Sequence, residues 1–126
     1  MEIKEFGTQN ERVVVLVHPS LVTWDYFERV IPLLEGDYRL VVPVLPGYNL
    51  GDASDFASVE AHAAEIGDWL VGRGMSEVHA VYGCSMGGSV VLRMAVDGCV
   101  HARHWVMDGG ITPYQLPWIV TRLIAI

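Results

Sequence analysis

The residues with an evident chemical use are Gly83-Cys84-Ser85-Met86-Gly87, continued by Gly88 and Ser89. An apolar run from Val78 to Tyr82 precedes them, and Val90-Val91-Leu92-Arg93-Met94-Ala95 follows. G-x-S-x-G between a strand and a helix reads as a nucleophile elbow, in which a sharp, strained turn holds the serine hydroxyl clear of the sheet. Glycines stand two before and two after the serine because strand and helix pass too closely there for a Cβ. The chemistry this motif offers is covalent attack by Ser85 on an electrophilic carbon. A serine hydroxyl is a weak nucleophile until a neighbouring base takes its proton.

Five histidines could supply that base. His18 ends a strand and reads as a structural residue of the loop. His79 lies mid-strand and is expected to be packed, while His62 sits on a helix and is expected to be solvated. His101 and His104 flank a turn at the amino end of a strand, the wrong end for Ser85. None is a persuasive base. Asp108 reads first as a turn former ahead of Gly109-Gly110, and Asp52 and Asp55 as loop and capping residues. No Cys-x-x-Cys or His-Glu-x-x-His spacing occurs, so no metal site is expected. The glycines do not spell G-x-G-x-x-G, so a dinucleotide has little support, and no cofactor is expected.

These residues need a frame. Arg12 to Val17 is a β-branched run that marks a strand buried on both faces, as in a parallel sheet. Thr23 is placed to cap a helix from Trp24 to Glu35 that Pro32 kinks or interrupts. Tyr38 to Val44 is a second strand, followed by the turn-rich loop Leu45-Pro46-Gly47-Tyr48. Ser58 caps a helix with Val59, Ala63, Ile66 and Leu70 at helical spacing. Glu77 to Tyr82 and His104 to Asp108 are further strands, with a helix from Ser85 to about Asp97 between them. Glu2 to Phe6 is a candidate edge strand. The alternation predicts an α/β fold, a doubly wound, mostly parallel sheet flanked by helices. His18, the Pro46-Gly47 loop, Ser85 and Asp108 all fall at strand carboxyl ends, the functional rim of such a sheet.

The chain has 126 residues, 52% hydrophobic and 18% charged, with a net charge of −7. That suits one globular unit. Without a basic stripe, nucleic acid is excluded as a partner. No apolar run reaches the ~18 residues that span a bilayer, and the first residues do not read as a signal peptide. A helix between Cys84 and Cys99 would hold them roughly 16–18 Å apart, beyond the about 7 Å that a disulfide tolerates. A reduced, cytoplasmic protein is the economical reading.

Taken together, His18-Pro19-Ser20, the Trp24 helix, Leu45-Pro46-Gly47-Tyr48 and Gly-Cys-Ser-Met-Gly-Gly at 83–88 resemble the α/β-hydrolase family. The resemblance implies a partial α/β-hydrolase fold over 1–110, with the start of a lid at 111–126. It implies Ser85 as nucleophile of a serine hydrolase acting on an ester or related acyl bond, and an oxyanion hole from the Met86 and Ser20 backbone N–H groups. Proline 19 stands where the family usually has glycine and cannot donate. Val44 stands where an acidic residue is common. Epoxide hydrolase and dehalogenase relatives use aspartate at the nucleophile position, so Ser85 argues against both.

The family order is Ser, then Asp or Glu, then His, and no histidine follows residue 104 here. The acid and base are therefore expected from beyond Ile126 or from another chain, and the 126-residue form alone is expected to be inactive. A few family members place the acid where Asp108 stands. Tyr114 and Trp118, with His18, Tyr48, Leu116 and Met86, are expected to border a pocket for a small-molecule acyl substrate. The apolar segment 111–126 and an unpaired last strand predict a homo-oligomer or segment exchange. The alternative is a non-catalytic interaction module on the same scaffold. Membrane-surface attachment through Trp118 to Ile126 fits poorly, because Arg122 is the one cation there.

Overall fold

Val13–Val17 (β2) is buried along its whole length, and the rest of the sheet is laid out around it. A five-residue run of Val and Leu cannot expose either face without loss, so it takes the middle of a sheet covered on both sides. The computed structural model describes residues 1–48, 53 and 55–110. Within them, Glu2–Phe6 (β1), Val13–Val17 (β2), Arg39–Val44 (β3), Glu77–Cys84 (β4) and His101–Asp108 (β5) form one sheet in the order β1-β3-β2-β4-β5. β2, β3, β4 and β5 are parallel, and β1 joins the β3 edge antiparallel.

The alternating side chains of β2 separate two cores. Val13, Val15 and Val17 pack with Val41, Ile66, Leu70, Val81, Val90, Val91 and Met94, beneath the helices Val59–Gly72 (α2) and Met86–Asp97 (α3). Val14 and Leu16 point to the opposite face, against Phe27, Ile31, Leu40 and Val42. This is the α/β architecture with helices on both sheet faces that the alternation predicts.

The region 24–35 is not one helix. It splits into a 3-10 turn, Trp24–Phe27, and one short turn, Ile31–Leu34 (α1). Pro32 sits in the first turn of α1, where its missing N–H has no helical partner to lose. In a continuous helix its ring would strike the carbonyl of Glu28, so the helix breaks ahead of it. Thr23 does not cap the turn; its hydroxyl donates to the Asp25 carboxylate at 2.7 Å. The last strand also starts earlier than the sequence suggests. His101 N–H bonds to the Ser76 carbonyl at 2.8 Å and pairs beside Glu77, so His101 and His104 both lie within β5.

Ser58 caps α2, its hydroxyl accepting the Ala61 N–H at 3.0 Å. Ser58→Ala is expected to lower stability by about 1 kcal/mol, read as a shifted urea midpoint at unchanged slope.

Candidate active site

β4 stops at Cys84 and α3 starts at Met86, so a single residue, Ser85, makes the reversal. It does so at φ 52°, ψ −117°, a backbone region that costs a non-glycine residue about 1–3 kcal/mol. The glycines around it make this reversal possible. A Cβ on Gly83 would strike the Gly87 carbonyl, and a Cβ on Gly87 would strike the Val17 carbonyl and lie 2.7 Å from the His18 oxygen. Gly88 and Gly110 face each other the same way: a Cβ on Gly88 would come 2.8 Å from the Gly110 Cα. Elbow, central strand and the end of β5 are thus packed backbone to backbone.

The Ser85 N–H is held by the Asp108 carbonyl at 2.8 Å, and the Ser85 carbonyl accepts the Ser89 N–H at 3.3 Å. Its hydroxyl makes no hydrogen bond among the described residues and does not cap α3. Met86 is the first residue of that helix, so its N–H belongs to the set left without a helical acceptor, at the positive end of the helix dipole. Across from it, β2 ends in the turn His18-Pro19-Ser20-Leu21. Leu21 has φ 68° and is 89% exposed, which turns the chain sharply after Ser20. A free hydroxyl at the head of a helix is an arrangement suited to nucleophilic attack followed by stabilisation of a developing oxyanion.

His18 is fully buried, and both ring nitrogens are engaged. Nε2 accepts the Leu45 N–H at 3.0 Å, which puts the proton on Nδ1, where it meets the Pro19 carbonyl at 2.7 Å. The ring straps the end of β2 to the loop after β3 and has no lone pair left for Ser85. Burial holds its pKa below the ordinary value, opposed by the Pro19 carbonyl and by Asp25. The unfolded chain therefore binds this proton more readily than the folded one. The resulting stabilisation is full above about pH 6.5 and is lost as the pH falls through the lowered folded value. His18→Gln is expected to flatten the pH dependence of the unfolding free energy just below about pH 6.5, measured by chemical denaturation.

The other histidines stand away from Ser85. His62 is buried, not solvated: its Nε2 accepts the Ala57 N–H at 3.1 Å and its ring packs tilted against Phe56. α2 turns that face to the core, and the imidazole satisfies a loop amide there. His79 is half-buried between Tyr38 and His104, with ring centroids 5.3 and 5.4 Å away. Tyr48 lies beside the elbow, its hydroxyl 3.7 Å from the Met86 sulfur and its ring edge-on to His18. Asp108 is exposed at the end of β5, and its carboxylate accepts the Tyr82 hydroxyl at 2.9 Å. Sequence reading missed Tyr82. Its proximity to Asp108 arises from the parallel register Tyr82↔Val106, Cys84↔Asp108, which no local pattern encodes. Tyr114, Trp118 and Asp52 lie outside the described residues. Among the described residues, no group of three or more His, Cys, Asp or Glu side chains could hold a metal ion, and no helix is long and apolar enough to cross a membrane.

A mostly parallel sheet with helices on both faces and a serine at a strand-to-helix reversal defines an α/β hydrolase scaffold. The alpha/beta hydrolase family matches residues 14–126, and the chain belongs to it. An alpha/beta hydrolase family protein from Desulfitobacterium hafniense is similar at 31% identity and a TM-score of 0.82, over 87% of this chain and 44% of that one. The epoxide hydrolase CorEH shares the fold at 22% identity and a TM-score of 0.74, over 98% and 44% of the two chains. A serine hydrolase from the polyaromatic-hydrocarbon-degrading bacterium Cycloclasticus zankles shares it at 22% identity and a TM-score of 0.72, over 91% and 43%. The chain therefore spans less than half the length of these structural relatives.

Proposed function

We propose that the protein is a serine hydrolase that cleaves an ester or related acyl bond through an acyl-Ser85 intermediate. One observation carries this reading: Ser85 alone bridges β4 and α3 at a strained positive φ, with a hydroxyl that makes no hydrogen bond among the described residues. In the proposed reaction, Ser85 Oγ attacks the acyl carbon while a general base accepts its proton. The oxyanion is held by the Met86 and Ser20 N–H groups. Collapse expels the leaving alcohol, which takes up that proton, and water then attacks the acyl-enzyme by the same route. The base and its acid partner come from outside the described residues, because the described histidines are placed elsewhere. Tyr48 and Met86 form one wall of the acyl pocket, and the two free cysteines suit the cytoplasm. Similarity to a serine hydrolase supports this chemistry, and aspartate does not occupy the nucleophile position as an epoxide hydrolase would require.

The test is a fluorophosphonate probe applied to the intact gene product, with the modified residue located by mass spectrometry. Label on Ser85 is expected; a folded protein with Ser85 unlabelled would sink the proposal. A second reading, an interaction module that self-associates, draws on β5. Among the described residues that strand lies at the sheet edge, with Val106 and Met107 44% and 42% exposed. Sedimentation would show it as a stable homo-oligomer.

A further inference from the structure

A strained residue persists only where its surroundings over-determine it. On one side of Ser85, the close backbone contact of Gly83 with Gly87 does this. On the other side, the Asp108 carbonyl holds the Ser85 N–H at 2.8 Å, beside the close approach of Gly110 to Gly88. That carbonyl belongs to the last residue of β5. The residue after it, Gly109, has φ 64° and turns the chain away from the ladder. An anchor for Asp108 is therefore an anchor for the elbow.

The side chain of Asp108 has such an anchor. Tyr82 lies on β4 three residues before Ser85, and its phenol donates to Asp108 Oδ2 at 2.9 Å. Burial of the ring, together with that bond and the nearby carboxylate, pushes the Tyr82 pKa upward, so the phenol stays protonated and stays a donor. The strand register supplies the geometry. Cys84 sits opposite Asp108, and Tyr82, two residues earlier on the same face, reaches it diagonally. The carboxylate is thus spent on a phenol of the neighbouring strand, while the carbonyl of the same residue grips the serine.

Resting on the serine-hydrolase reading above, we propose that Asp108 and Tyr82 are positioning residues that latch the end of β5 to β4 and so hold the Ser85 backbone in its reactive conformation, and that Asp108 is not the acid of the catalytic triad. The two roles differ in what they require of residue 108. An acid that orients a histidine needs the negative charge, whereas a latch needs an oxygen that accepts from Tyr82.

The experiment compares Tyr82→Phe, Asp108→Ala, Asp108→Asn and the Tyr82→Phe/Asp108→Ala double variant in the intact gene product. Two quantities are read: the second-order rate of fluorophosphonate labelling at Ser85, and hydrogen exchange of the Ser85 amide. Tyr82→Phe and Asp108→Ala are each expected to slow labelling by about tenfold and to speed amide exchange. The double variant is expected to be no slower than either single one. Asp108→Asn, whose amide oxygen still accepts, recovers most of the loss in both readouts. A labelling rate on the order of 10⁴-fold slower in Asp108→Asn, with Tyr82→Phe unaffected, would make Asp108 the triad acid and overturn the proposal. Additive single effects, or no change in Tyr82→Phe, would overturn it too. If the folded wild type takes no label, the serine-hydrolase reading fails, and Ser85 amide exchange still decides whether the latch exists.

Discussion

Replacing Ser85 with glycine is expected to abolish acyl turnover and, in the same protein, to raise stability. Loss of the nucleophile of a serine hydrolase lowers kcat on the order of 10⁴- to 10⁶-fold. The fold does not need this hydroxyl, which makes no hydrogen bond among the described residues and caps nothing. What the fold does carry is a side chain at φ 52°, ψ −117°. Glycine reaches that region without the Cβ conflict, and relief of about 1–3 kcal/mol exceeds the roughly 0.5–1 kcal/mol that glycine's extra unfolded-state freedom costs. A net gain of about 1 kcal/mol is expected. Paired measurements of ester hydrolysis and urea unfolding check it. If Ser85→Gly were both active and less stable, the strain and the nucleophile would have been wrongly assigned together.

The second large effect lies two residues on. Gly87→Ala is expected to destabilise the protein by about 3 kcal/mol or more, near the upper end for overpacked sites. The new methyl would meet the carbonyl oxygens of Val17 and His18, both main-chain atoms at the end of the central strand, where no flexible side chain can give way. Moving them would also disturb the turn that carries Ser20 and the strap made by His18. Against a total of about 5–15 kcal/mol for a domain, soluble yield should fall sharply. Gly67→Ala is the control. Gly67 is also a helical glycine, on α2, but a Cβ there meets nothing within 4 Å, so the change should be neutral or stabilising by up to about 1 kcal/mol. Thermal unfolding of both variants tests the contrast, and equal destabilisation would show that close approach is not what selects glycine at 87.

Much of this protein is written locally. A run of Val and Leu at 13–17 has no stable place except a strand covered on both faces, and Ser58 ahead of an apolar 3.6-residue pattern begins a helix wherever it is put. The G-x-S-x-G run behaves similarly, because its glycines and serine are dictated by contacts within a few residues of one another. Chain order alone therefore determined the α/β alternation and the residue standing at the reversal.

Tertiary structure decided what depends on strands meeting across the sheet. The sequence places His62 on a helix, but only the packing of α2 turns it inward to serve the Ala57 amide. Pro32 announces an interruption, yet only the fold shows that 24–35 shrinks to two short turns, Trp24–Phe27 and Ile31–Leu34. Tyr82 and Asp108 are 26 residues apart in sequence. Parallel pairing of β4 with β5 brings them within a hydrogen bond and delivers the Asp108 carbonyl to Ser85. Side-chain periodicity is a property of one element, whereas register is a property of two, and that is why the serine at the reversal could be read from the chain and its contact with β5 could not.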